Sequence, residues 1–306
     1  MLDKTEDRYV KLTKNFYKTQ LNELPPTLKR IEKALLECAH EYRPSYFRVL
    51  KNAIAYSQAK SGYIVEAKKI KKIQNPTTLK GVNSQQIKPK IKRVKYASIT
   101  DIKKLSKAVK ESGDVELKSA LFLAFNLGCR PAEMIDIRQL NSRTILIKGA
   151  KKTEVGNRWL DRKVILSKEL CQKIISASKV LEVAEMKNSG IQDRIRSRLN
   201  NITKNLWPRR KNRINLYTFR HQMGSNLKAS NLSRVAVAYL MGHQSTASAD
   251  VYGDKRKSTG KVKLKPAESS LMLNSIIRTK HEKPYSQQIK HSKENNTSKP
   301  TLLIKP

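Results

Sequence analysis

Apolar residues recur every three or four positions along most of this 306-residue chain, and one stretch departs from that rhythm. Thr144 to Lys148 and Arg158 to Leu166 are rich in β-branched residues and flank a polar, Gly-containing run from Lys151 to Asn157, the pattern of a hairpin. A chain of this kind is expected to be mainly α-helical with a small β-sheet.

Proline and glycine punctuate the helical part. Leu28, Ile31, Leu35 and Cys38 follow Pro25-Pro26, and Phe47, Leu50 and Ile54 follow Pro44, each proline suited to a helix start; an earlier helix is expected through Leu12 and Phe16. Between Lys68 and Lys95 stand ten Lys or Arg and no acidic residue, with Pro76, Gly81 and Pro89 expected to break any regular element. The reading is a helical domain at residues 1–70, a basic linker at 71–95 and a second structured region at 96–258.

That second region opens with Thr100 as expected N-cap of a helix bearing Ile102, Leu105 and Val109. Asp114 caps the next, which carries Leu117, Leu121 and Phe125 and stops at Gly128; Pro131 then starts a short helix through Glu133 and Ile137. Arg130 is thereby pinned in a turn and biased toward extended backbone by the proline that follows it. Helical patterning resumes after Ser167, a basic stretch of poor periodicity runs from Lys187 to Arg213, and three short helices cover Tyr217 to Gly253. The tail at 259–306 is basic and expected to be partly disordered; from Lys261 it has ten Lys or Arg against three Glu, and only Leu271 to Ile277 reads as helical.

Charge narrows the partner. Lys plus Arg number 64 against 25 Asp plus Glu, a net charge of +39, which favours a polyanion, nucleic acid by default, over a small acidic metabolite. No run approaches the length of a membrane-spanning helix and no apolar segment follows the amino terminus, so the expectation is a soluble, cytoplasmic, nucleoid-associated protein. The three cysteines, Cys38, Cys129 and Cys171, are far apart and lack a zinc-ligand spacing; they and the five histidines give no reason to expect a metal or other cofactor.

The chemistry concentrates between Leu216 and Gly253. Arg220 lies three residues after Tyr217 on one helical face, His243 follows Met-Gly, and Tyr252 stands nine residues later, before Gly253. Transfer of a phosphodiester requires positive charge on the non-bridging oxygens, an in-line nucleophile and an acid for the leaving oxygen. Arg130 and Arg220 are candidates for the clamp, since each guanidinium binds phosphate bidentately and stays charged near neutral pH. Taken singly, these residues have plainer readings: Tyr252 as a packed helix-end residue, His243 as a cap, Arg130 as an ion-pair partner of Glu133.

Their order and spacing resemble a known family. GCRPAEM at 128–134, KKT at 151–153, YTFRH at 217–221, LMGH at 240–243 and VYG at 251–253 look like the successive boxes of the tyrosine recombinases, or phage integrases, over roughly residues 98–256. The resemblance implies an α-helical core-binding domain joined to an α+β catalytic domain, together clamping duplex DNA. It implies that Tyr252 attacks the scissile phosphate to give a 3′-phosphotyrosyl bond, that Arg130 and Arg220 hold the phosphate, that His243 assists, and that a hairpin lysine protonates the leaving oxygen. Lys152 is the choice for that lysine, with Lys148 and Lys151 as rivals. The family's usual histidine in the second box is replaced by Tyr217, expected to donate a hydrogen bond to the phosphate or to orient a neighbour. His221 is expected to pack behind the site and Glu133 to support the Arg130 turn.

The resemblance further implies a homotetramer on two DNA sites, strand exchange through a Holliday junction without ATP, and accessory bending or excision factors in some systems. The tail helix is expected to dock on a neighbouring protomer or to be part of a disordered tail, and no added arm-binding domain is expected upstream of the first helix. Three other readings compete: a helix-turn-helix DNA reader built on Ser233 to Ser248, a type IB topoisomerase, and a metal-dependent transposase or nuclease, for which no carboxylate cluster is evident.

Overall fold

The computed structural model describes residues 3–79, 81, 93–150, 160–260, 262 and 264–279. The chain divides into two compact units, residues 1–92 and 93–306. The first consists, among the described residues, of helices α1 (Asp3–Gln20), α2 (Leu28–Glu37), α3 (Pro44–Lys60) and α4 (Ile64–Lys72), with 3-10 turns at Cys38–Glu41 and Pro76–Thr78. Its core is Phe16, Ile31, Leu35, Phe47, Leu50, Ile54, Ile70 and Ile73 with their neighbours. Pro44 occupies the first turn of α3, where its missing N–H costs nothing.

The stretch from Lys68, expected to carry no regular element, begins inside a helix. α4 continues to Lys72 because Ile70 and Ile73 bury against the other three helices, and the Lys51 ammonium donates to the Ile73 carbonyl at 2.7 Å. Burial of two isoleucines outweighs the basic composition around them.

The second unit opens with α5 (Ile99–Glu111) and α6 (Val115–Leu127). The N-cap of α5 is Ser98 and not Thr100: the Ser98 hydroxyl accepts from the Asp101 N–H at 3.0 Å. Asp114 caps α6 through the Leu117 N–H, and Gly128 ends it at φ 58°. A 3-10 turn at Pro131–Glu133 follows, but Ile137, expected in that helix, starts strand β1 (Ile137–Asn141). β1, β2 (Thr144–Ile147), β3 (Arg162–Ile165) and β4 (Lys265–Pro266) form an antiparallel sheet in the order β1-β2-β3-β4.

After β3 come α7 (Lys168–Lys187), capped by Ser167 and packed on β1 and α6, and α8 (Ile191–Leu206), packed on α5, α6 and α7. α8 falls in the stretch expected to lack periodicity. Ile191, Ile195, Leu199 and Thr203 form a narrow buried stripe on an otherwise basic helix, and Glu185 of α7 accepts from the Gly190 and Ile191 N–H groups. The cap therefore comes from another helix, and no local signal announces it.

α9 (Leu216–Ala229), α10 (Arg234–Leu240) and α11 (Thr246–Asp250) fill the segment where three helices were expected. α9 packs on α6, and α10 is buried along its whole length. The tail helix α12 (Ser270–Ile276) packs within its own unit: Leu273 and Ile277 bury against Val235, Ala236, Ala238, Tyr239 and Ala249. Ser245 and Arg278 form a parallel bridge beside it. No described helix is long and apolar enough to cross a membrane. The fold is mainly helical with one small sheet.

Candidate active site

Arg130 stands in the turn that α6 and Pro131 create, with extended backbone at φ −73° and ψ 152°. The Glu133 carboxylate closes that turn, accepting from the Arg130 N–H at 2.9 Å and from Arg130 Nη1 at 2.6 Å. Its second oxygen also accepts from Arg162 Nη2 at 2.9 Å. Burial pushes the Glu133 carboxyl up, but the Arg162, Arg130 and Arg220 guanidiniums together hold it at about 2, so it is ionised.

Arg220 is almost wholly buried on α9. Its Nη1 donates to the Gly128 carbonyl at 2.7 Å and its Nη2 to the Met241 carbonyl, which joins the Arg130 turn to the end of α10. Burial first, and then Arg130, draw its pKa down to about 10, leaving it charged at neutral pH. Arg220 Nη2 also lies 3.2 Å from His243 Nε2. A guanidinium only donates, so Nε2 accepts and the His243 proton sits on Nδ1. Burial and the Arg220, Arg130 and Arg162 charges push this imidazole to about 3, so it is neutral.

Tyr252 follows α11 and is half-buried. Its ring stacks on His221 at 4.8 Å between centroids, tilts against His243 at 5.1 Å, and lies 5.0 Å from the Arg220 guanidinium carbon. The backbone around it is fastened to α9. The Gly253 N–H donates to His221 Nδ1 at 3.4 Å, the Asp254 N–H to Ser225 Oγ at 2.9 Å, and the Lys228 ammonium to the Asp250 and Gly253 carbonyls at 3.2 and 3.3 Å. Gly224 permits the approach, since a Cβ there would lie 3.0 Å from the Tyr252 carbonyl oxygen. Burial and the surrounding cations hold His221 at about 4.

Arg130, Arg220, His243 and Tyr252 thus converge. Tyr217, in the first turn of α9, is 40% exposed, and among the described residues it makes no hydrogen bond or ring contact with these four. Lys151 and Lys152 lie outside the described residues. Lys148 follows β2, and its N–H donates to the Asp136 carbonyl at 3.1 Å. Sequence reasoning passed over Arg162, and over Gly224, Ser225 and Lys228, which hold Tyr252; a glycine inside a helix pattern was the one available signal. The helix-turn-helix reading is not favoured: α10 is buried along its whole length, and α11 leaves only Ser248 and Asp250 exposed.

The sequence model of the Phage integrase family matches residues 95–259, more than half of the chain, and the chain belongs to that family. It is a tyrosine-type site-specific recombinase. Among solved structures, a lambda integrase dimer bound to a COC′ core site is similar at TM-score 0.52 and 15% identity, over 83% of this chain and 77% of that one. A lambda integrase tetramer bound to a Holliday junction is similar at TM-score 0.50 and 14% identity, over 85% and 78%. XerA recombinase is 16% identical over 82% and 88%, at TM-score 0.38. At these identities the likeness to lambda integrase is one of fold. The comparison with curated proteins finds no match.

Proposed function

We propose that this recombinase cleaves duplex DNA with Tyr252 as nucleophile, Arg130 and Arg220 as the phosphate clamp and His243 as a neutral hydrogen-bonding partner of the reacting phosphate. The Tyr252 oxygen bonds to phosphorus as the bond to the 5′ oxygen breaks. The phenolic proton passes to water, and Lys152 protonates the departing 5′ oxygen, which leaves as a hydroxyl. Attack by a 5′ hydroxyl of the partner strand reverses the step, so the bond energy is kept and no nucleotide is consumed. One observation carries this reading: the Tyr252 ring lies within 5.1 Å of His221, His243 and Arg220, in a cluster where Arg130, Arg162 and Arg220 face a single buried carboxylate. Two net positive charges in a desolvated site suit a phosphodiester anion.

On this reading residues 1–70, within the first unit, form a DNA-binding domain, the segment at 71–95 is a basic linker, and four copies act on two sites in the cytoplasm, integrating or excising a mobile element. Accessory bending or excision factors serve as further partners. Tyr217, exposed on the same turn as Arg220, reaches the phosphate from its open side. The test uses nicked suicide duplexes drawn from the DNA flanking the gene. Wild-type protein is expected to form a denaturant-resistant protein–DNA adduct that Tyr252→Phe does not form. An adduct that survives Tyr252→Phe, or none on any flanking sequence, overturns the assignment.

A further inference from the structure

Glu133 presents an electrostatic problem. It stands three residues after Arg130 and pairs with it at 2.6 Å, with both side chains buried. Such a pair is neutral on its own, and a guanidinium offset by its neighbour attracts a phosphate far less than a free one. The turn nevertheless depends on this carboxylate, which holds the Arg130 N–H as well as its side chain.

Arg162 resolves the conflict. It projects from β3, is 0% exposed, and pairs with the other Glu133 oxygen at 2.9 Å. Its Nε and Nη1 are buried and have no hydrogen-bond partner among the described residues. Nη1 lies against Gly242, where a Cβ would fall 2.7 Å from it and 3.5 Å from Arg130 Nη1. The glycine of LMGH, at φ 63°, therefore makes room for two guanidiniums directly before His243. Arginines do not gather in this way without an anion to share, and Glu133 answers for one of the three charges.

We propose that Arg162 is a positioning residue for the phosphate clamp: it takes up the charge of Glu133, so that Glu133 fixes the Arg130 turn without cancelling the charge that Arg130 offers the scissile phosphate. Arg162 touches no substrate and acts through Glu133. The proposal rests on the reading of Tyr252 and the clamp given above.

The experiment measures the rate of adduct formation on the nicked duplex and the affinity for uncleaved duplex. The variants are Arg162→Met, Arg162→Lys, Glu133→Gln and the double variant Arg162→Met/Glu133→Gln. Counting Arg130, Arg162, Arg220 and Glu133, the formal charge falls by one in Arg162→Met and returns in the double variant. Arg162→Met is expected to slow adduct formation about 100-fold with duplex affinity within about threefold, the size of effect seen when one transition-state donor is lost. The double variant is expected to recover about tenfold over Arg162→Met, and Arg162→Lys to stay within about tenfold of wild type. A role in packing alone predicts a double variant no faster than Arg162→Met, and that result overturns the proposal. Should Arg162→Met fail to fold by circular dichroism, Arg162→Lys decides: folded but as inactive as Tyr252→Phe, it overturns the charge role. If wild type itself forms no adduct, the Tyr252 reading has failed, whereas an Arg162→Met protein that cleaves at the wild-type rate defeats this proposal alone.

Discussion

Replacing Gly253 by alanine moves Tyr252 with very little change in composition. Gly253 has φ 73°, and an added Cβ would lie 2.2 Å from the Ser225 nitrogen, 2.5 Å from the Gly224 carbonyl carbon and 2.8 Å from the His221 carbonyl oxygen. All three are backbone atoms of α9 and cannot rotate away. Ordinary contact begins at 3.4 Å, so the Tyr252 segment has to retreat by about 1 Å, a displacement that costs about 100-fold in a positioned reaction. The left-handed backbone adds about 1–2 kcal/mol of folding free energy. Gly113→Ala separates the two contributions: its φ is 67° but nothing lies within 4 Å of the added Cβ. Both variants are expected to lose stability in thermal unfolding, and only Gly253→Ala to lose adduct formation on the nicked duplex. A Gly253→Ala protein that forms adduct within threefold of wild type would refute the argument that contact with α9 sets the place of Tyr252.

Acid should destabilise the fold before carboxylates titrate. His243 and His221 are held at about 3 and about 4 when folded and titrate near 6.5 when unfolded. Below that value the unfolded chain binds protons that the folded chain refuses, so stability falls from pH 6.5 toward 4, by about 2 kcal/mol per histidine at pH 5. Chemical denaturation between pH 5 and 7.5 checks this, and a flat profile contradicts it. DNA affinity should fall steeply with salt, with a log–log slope of about −5 or steeper, as expected when several phosphates are neutralised; filter binding from 50 to 300 mM salt gives the slope, and a shallow one opposes the phosphate-contact reading. Tyr217→His should leave adduct formation nearly unchanged while Tyr217→Ala lowers it about tenfold without a loss of stability beyond about 0.5 kcal/mol, because the side chain is exposed. Indifference to both substitutions sinks a role for Tyr217.

Elements announced by their own residues were legible in the sequence. Asp114 caps where expected, a helix follows Ser167 where helical patterning was read to resume, and Gly128 ends α6 in the left-handed conformation. Elements stabilised from elsewhere were not. α8 takes its cap from Glu185 of another helix, and β1 buries only Ile137, so its strand pattern is faint. α4 hides in a basic run because two isoleucines suffice to hold it. At the site, Arg130, His243 and Tyr252 stood out because each lies beside glycine or proline, and Arg220, in the YTFRH box, because it stands at a fixed spacing before the last two. Arg162 did not: among 64 basic residues, an arginine on a strand reads as solvent-facing until the sheet turns it inward.

The tethering of Tyr252 has a mechanical consequence. His221, Gly224, Ser225 and Lys228 belong to the helix that carries Arg220, so Tyr252 and that guanidinium ride on a single stiff bar. Flexing of the sheet or of α5 to α8 leaves their spacing unchanged. A change in that spacing has to come from one short joint, Asp250 to Asp254, whose fastenings are a few hydrogen bonds around Gly253.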